Sequence, residues 1–180
     1  MNYVEPIRKK EDIRRVERIL RRRSLRNLLL FDLGINSGLR VSDLLRLDVG
    51  DVKEKEYITI KEKKTGKYKR FPLNKKIKKL IALHTKKRSA REPLFMSFWG
   101  NRMERTQIYR IIKRACAEAG ITYKVGTHTM RKTFGYHHYQ MFKDVAILQK
   151  IFNHSSPEIT LRYIGINQDI IDRSYSNFML

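Results

Sequence analysis

YITIKEKKTGKYKRFPL, residues 57–73, is where this chain changes period. β-Branched and aromatic residues stand on both sides of Thr65-Gly66, interleaved with lysine and arginine. Such residues suit a pleated, half-solvated surface, so the stretch predicts a hairpin of two basic strands turning at Thr65-Gly66. Helical periods lie on either side. Upstream, 11–22 sets Ile13, Val16, Ile19 and Leu20 on one face. It starts acidic and runs into Arg21, Arg22 and Arg23, which suits the helix dipole. The segment 24–36 reads as a second helix stopped near Ser37-Gly38, and Ser42 is placed to cap a third, VSDLLRL.

Downstream, 74–87 groups Ile77, Leu80, Ile81 and His84 on one face. In 104–119, Ile108, Ile111, Ile112, Ala115, Cys116 and Ala119 recur at i, i+3, i+4 and i+7, and Gly120 is a natural stop. A helix over 127–142 is expected to open on Thr127 as cap. A short one over 144–152 is built on Val145, Leu148, Ile151 and Phe152. Ser155 or Ser156 before Pro157 marks another start, and 168–178 is a last amphipathic piece. The expected fold class is mainly α with a small antiparallel β-sheet (α+β), one domain over 1–180. The segment 167–180 is expected to serve as a docking helix.

A chain of 180 residues can bury a core, and 41% hydrophobic content favours order over disorder. Charge is the unusual quantity: 40 Lys and Arg against 18 Asp and Glu, a formal +22. Self-repulsion of that size calls for a polyanion, with nucleic acid first and an anionic membrane surface second. The longest strongly apolar run, LLLF at 28–31, is far short of the ~20 residues of a membrane span. A leader is not expected, since Arg26, Asn27 and Asp32 interrupt the stretch after Arg23. The single cysteine, Cys116, allows neither an internal disulfide nor a cysteine-rich zinc site and fits a reducing cytoplasm. His137 and His138, adjacent on a helix, point about 100° apart and chelate one ion poorly. The carboxylates are scattered, which argues against a two-metal nuclease. No metal and no cofactor are expected.

Four segments carry polar residues that packing does not explain. They are SGLRVSDLL (37–45) with Arg40, KKTGKYKR (63–70) with Lys64, HTMR (128–131) with His128 and Arg131, and FNHSSPEITLRYIG (152–165) with His154 and Tyr163. Taken singly, each has an ordinary reading: a surface arginine, a solvated hairpin tip, a capping histidine, one tyrosine among nine. Taken together they meet the needs of phosphodiester cleavage by a side-chain nucleophile. Guanidinium groups neutralise charge growing on the phosphate oxygens. A flexible lysine can protonate the departing hydroxyl. A phenol, with an ordinary pKa of about 10, needs a histidine and nearby cations for activation.

The ordered set Arg40, Lys64, His128, Arg131, His154, Tyr163 resembles the tyrosine recombinase (phage integrase) family. GLRVSDLLRL is similar to its first arginine box, with Asp43 where an acidic residue usually supports that arginine. KKTGKYKRFPL resembles its lysine hairpin, HTMRKTFG its His-x-x-Arg box, and FNHSSPEITLRYIG its closing His-then-Tyr box. The resemblance implies a metal-independent site-specific recombinase that cleaves and rejoins DNA through a covalent 3′-phosphotyrosine. By position, Tyr163 is the nucleophile, Arg40 and Arg131 bind the scissile phosphate, and Lys64 is the general acid. His128 assists proton transfer and His154 hydrogen-bonds the phosphate. Two departures stand out. Asn153 replaces the usual glycine, and asparagine tolerates the left-handed conformation needed there. Too few residues precede the Arg40 box for the family's N-terminal core-binding domain, so none is expected, and a second protein would supply that half of the clamp.

Double-stranded DNA is the expected partner, with self-association on DNA through 167–180 and a cytoplasmic, nucleoid-associated location. The alternative is a DNA-binding regulator with the same fold and little or no catalysis, for which an intact set of six has no use. A relaxing topoisomerase would share the chemistry. Tyr175, twelve residues beyond Tyr163, is a rival nucleophile that the spacing from His154 does not favour.

Overall fold

The computed structural model describes residues 4–166 and 174–178. Eight α-helices of four residues or more, a 3₁₀ turn (Val49–Asp51) and one hairpin are seen there: α1 (Lys10–Arg23), α2 (Leu25–Ser37), α3 (Val41–Leu44), β1 (Tyr57–Lys61), β2 (Tyr68–Pro72), α4 (Lys75–Thr85), α5 (Arg105–Glu118), α6 (Thr129–Phe142), α7 (Val145–Phe152) and α8 (Pro157–Ile164). The mainly helical fold with a small antiparallel sheet is the one expected. The strands pair from Tyr57 opposite Pro72 to Lys61 opposite Tyr68. Ile58 and Ile60 face the core, while Tyr57, Thr59 and Lys61 face solvent.

Side-chain caps define several helix starts. Ser24, Asn74, Asp144 and Ser156 each accept the backbone N–H three residues on, satisfying one orphan donor. Two expected caps are corrected. Ser42 lies inside α3, whose N-cap is Arg40. Thr127 stands before the N-cap of α6, which is His128. The turn there is closed instead by Thr129, whose hydroxyl accepts from the Gly126 N–H at 2.9 Å. Of the predicted piece 168–178, residues 168–173 lie outside the described residues. Residues 174–176 form one helical turn, with Tyr175 and Phe178 exposed.

The helix α2 is the axis of the fold. Leu28, Leu29, Leu30, Phe31 and Leu33 are all fully buried, so apolar residues surround it, and α1, α4 and α6 pack on it. The main core gathers these residues with the inner faces of α1, α4, α5 and the hairpin. A second, smaller cluster of Leu148, Phe152, Ile164 and Ile166 lies between α6, α7 and α8. Gly135 permits that approach: a Cβ there would sit 2.6 Å from Ile164 Cγ2 and 2.7 Å from Phe152. Among the described residues, no helix is long and apolar enough to cross a membrane.

Candidate active site

Four turns converge where the two cores meet. The helix α2 ends in a left-handed Gly38 (φ 61°), which turns the chain so that Arg40 opens α3 from an extended conformation. The Arg40 side chain, 15% exposed, points its Nη1 at Glu62 Oε1, 3.0 Å away. Arg131 reaches the same oxygen from α6, at 3.8 Å, and is almost completely buried. Its Nη1 donates to the Gly38 carbonyl and its Nη2 to the Phe152 carbonyl at 2.9 Å, with the guanidinium 4.3 Å over the Phe152 ring. A cation at the C-terminal carbonyls of α2 and α7 meets the negative ends of both helix dipoles.

Glu62 is the carboxylate at the centre of this arrangement, and sequence reasoning missed it. Its Oε2 accepts from the Thr65 hydroxyl at 2.8 Å and from Asn153 Nδ2 at 2.9 Å. Burial pushes its pKa up, but the bonds from Asn153 and Thr65 and the charge of Arg40 outweigh that and hold it below the ordinary range. The signal was present in the hairpin: the alternation that buries Ile58 and Ile60 continues to Glu62, two residues further on the inward face. Asp43, expected beside Arg40, accepts instead from the Lys63 backbone N–H at 2.9 Å and so fastens the hairpin turn to α3.

Tyr163 sits near the end of α8, half-buried, with Pro157 in the first turn and a left-handed Gly165 as the stop. Its hydroxyl lies 3.3 Å from His128 Nδ1. The ring makes edge contacts with His154 at 5.2 Å and Phe152 at 5.5 Å between centroids. Lys132 Nζ stands 5.2 Å from the ring centre. Burial raises the phenol pKa, while the charges of Arg131 and Arg40 and a hydrogen bond from Arg131 oppose the rise. The phenol oxygen therefore lies in the field of both guanidinium groups, with a hydrogen bond from Arg131 alone.

Both histidines are held neutral. Loss of solvent lowers the His128 pKa, and Arg105, Arg131, Lys132 and Arg40 lower it further. His154 falls to about 4 through burial and the charges of Arg131, Arg40 and Lys64. Its Nδ1 is paired with the Thr160 hydroxyl at 3.0 Å, which fixes the ring and leaves Nε2 for another partner. Asn153 takes the left-handed conformation expected of it (φ 52°), as the C-cap of α7.

Lys64 lies in the exposed turn between the strands, close enough for its charge to act on His154. A second lysine, Lys69, is brought deeper. Its Nζ donates to the Ser37 carbonyl at 2.9 Å, and burial, with the charges of Arg131 and Arg40, lowers its pKa to about 7. It shares the inward face of β2 with Phe71, which period-2 reading of KYKRFP could have revealed. His137 Nε2 pairs with the Ile7 carbonyl at 2.9 Å, and His138 stacks among Phe134 and Phe142. Among the described residues, no group of three or more His, Cys, Asp and Glu could hold a metal ion. Tyr175, the rival nucleophile, is 79% exposed.

Comparison with known proteins gives the family and the fold. The family described as "Phage integrase family" matches residues 9–169. The chain is 45% identical to "Probable integrase/recombinase YoeC" of Bacillus subtilis (strain 168), over 99% of this chain and 98% of that protein. It is 31% identical to "Tyrosine recombinase XerC" of Thermodesulfovibrio yellowstonii over 83% of this chain, and spans about half, 54%, of that longer protein. The crystal structure of XerA recombinase superposes with a TM-score of 0.77 at 22% identity, over 97% of this chain and 65% of that one.

Proposed function

This chain belongs to the phage integrase family, and from that premise we propose that it is a site-specific DNA recombinase, metal-independent, acting through a covalent 3′-phosphotyrosine. The observation that carries this reading is Tyr163, with its hydroxyl 3.3 Å from His128 and within the field of Arg131 and Arg40. The phenol oxygen attacks the scissile phosphorus as the P–O5′ bond breaks. The phenol proton passes to His128, whose lowered pKa leaves a ring nitrogen free to accept it. Lys64, on the exposed turn of the hairpin, gives its proton to the departing 5′-oxygen. Arg40 and Arg131 neutralise the charge gathering on the non-bridging oxygens, with His154 Nε2 as a further donor. One phosphoester replaces another, so attack by a 5′-hydroxyl on the phosphotyrosine runs the same steps backwards and rejoins the strand.

The substrate proposed is double-stranded DNA, in keeping with the formal charge of +22. That the chain spans only about half, 54%, of one longer relative supports a further proposal, that a second protein or protomer completes the grip on the duplex. Self-association on DNA through 167–180 belongs to the same proposal. The test is a nicked duplex that traps the covalent product. An adduct formed by the native chain and lost in Tyr163→Phe supports the recombinase. Tight binding with no adduct would make the chain a DNA-binding regulator, and adducts resolving by relaxation without paired sites would make it a topoisomerase.

A further inference from the structure

The six residues of the proposed chemistry come from distant parts of the chain, and one buried side chain touches most of the segments that carry them. Glu62 Oε1 collects the guanidinium groups of Arg40, at 3.0 Å, and Arg131, at 3.8 Å. Glu62 Oε2 collects Thr65, the neighbour of Lys64, and Asn153, the neighbour of His154. The side chain of Glu62 is fully buried, so these ion pairs and hydrogen bonds are not shared with bulk water. Backbone bonds root the turn at the same residue: Gly66 N–H donates to the Glu62 carbonyl, and Glu62 N–H to the Lys67 carbonyl, both at 2.9 Å.

Resting on the recombinase reading above, we propose that Glu62 is a positioning residue for strand cleavage. One of its oxygens aims both arginines at a common point, and the other locks the lysine turn and the final histidine turn to them. Two like-charged guanidinium groups side by side repel, and each has many rotamers. A carboxylate between them supplies the attraction that makes one arrangement prevail. It also sets the charge of the cradle. Arg40 and Arg131 with Glu62 leave one net positive charge, which a phosphodiester monoanion neutralises.

Asn153 gives the proposal a second handle. The left-handed conformation at this position admits glycine and asparagine alike and does not choose between them. The bond to Glu62, linking residues 91 apart in sequence, does.

Glu62→Gln keeps the size but removes both the ion pair and the charge that strengthens the bonds from Thr65 and Asn153. Single-turnover cleavage of a nicked duplex should fall on the order of 10²-fold, as for reacting groups displaced by about an ångström. Noncovalent DNA affinity should hold or tighten, because the cradle becomes more positive. Asn153→Gly should slow cleavage several-fold in the native background and add nothing to Glu62→Gln. Glu62→Asp, which restores charge but not reach, should recover part of the loss. Native cleavage rates in Glu62→Gln would overturn the proposal, as would additive effects of the two substitutions. If Glu62→Gln fails to fold, the decision passes to Asn153→Gly, and an unchanged cleavage rate there overturns it. Guanidinium ¹⁵N–¹H resonances of Arg40 and Arg131 read the orientation without chemistry. They should be distinct and slowly exchanging in the native chain, and collapse in Glu62→Gln. Should the native chain form no adduct, the recombinase reading fails, and those resonances alone decide whether Glu62 orients the arginines.

Discussion

The two hydrophobic clusters hold different parts of the candidate site, and they differ greatly in size. Arg40, Glu62 and the lysine hairpin lean on the main core, a continuous body of buried aliphatic side chains from α1 to α5 and the hairpin. Tyr163 stands on the smaller one, where four buried residues are ringed by half-buried aromatics. The charges that would meet a phosphate are thus fixed by the larger body, and the nucleophile by a few edge contacts. Regions with fewer buried apolar contacts open at lower free energy, so amides of α7 and α8 should exchange faster than those of α2. Arg131 joins the two, bonding the end of α2 and the end of α7 with one guanidinium group.

The largest effect should come from removing that joint. Arg131→Ala should lower strand cleavage by about 10²–10³-fold, the range for loss of a transition-state donor. It should also destabilise the fold by roughly 3 kcal/mol, the lower end for breaking a buried ion pair, because Arg40 still faces Glu62. Arg40→Ala should cost as much in cleavage and clearly less in stability, since it bonds no part of the smaller cluster. Denaturant melts of the two variants compare the losses. Equal losses would mean that Arg131 is no bridge.

Gly135→Ala comes next. Its Cβ would press on Ile164 and Phe152, at 2.6 and 2.7 Å, and overpacking of this kind costs about 1–3 kcal/mol. The disturbance should stay with the smaller cluster: faster amide exchange in α8, slower adduct formation at Tyr163, and unchanged protection in β1 and β2. Loosening of the hairpin as well would show that the two clusters are one cooperative unit.

The same contrast governs how much was legible in the sequence. The helices of the main core follow from the 3.6-residue spacing of Val16 and Leu20, or of Ile108, Ile112 and Ala115, and the hairpin from the change of period at 57. Helix starts were read less well, because a serine or threonine near a start need not be the cap. Thr127 lost that place to His128, and Ser42 to Arg40. The ordered set of polar residues stood out in the sequence, since no packing pattern asks for it. Glu62 and Lys69 were not read, because an acidic residue and a lysine in a basic hairpin look like solvated charges. Their burial comes from strand register, which puts both on the inward face. The bond from the Lys63 backbone to Asp43 was not legible for a related reason: composition tells that a carboxylate is near, not which backbone N–H it will meet.

Two titrations report on the two sides of the site at smaller amplitude. His154, beside the smaller cluster, has a pKa near 4 in the folded chain against an ordinary 6.5. Between these values the unfolded chain binds a proton that the folded one refuses, so stability falls as pH drops from 6.5 towards 4. Lys69, on the hairpin, has a pKa near 7 against an ordinary 10.5, so stability rises as pH climbs through that window. His154→Asn should flatten the first slope only, and Lys69→Met the second only. A variant that flattened both would mean that the two groups titrate as one.

Phosphate binding should couple these two sides, and the effect is a fraction of a proton. Arg131 and Arg40 depress both groups, after burial itself. A phosphodiester seated on those arginines cancels part of their field, so both pKa values should move up while the cost of burial remains. Near pH 8, where Lys69 is mostly neutral when free, binding of a duplex should draw a proton into the complex. Calorimetry in buffers of different ionisation enthalpy measures that uptake. It should vanish in Lys69→Met and persist in His154→Asn at this pH. Near pH 5 the dependence should reverse, with uptake lost in His154→Asn. Uptake that ignored both substitutions would mean that the phosphate sits elsewhere on this basic surface, and that the arginines gathered by Glu62 are not where it binds.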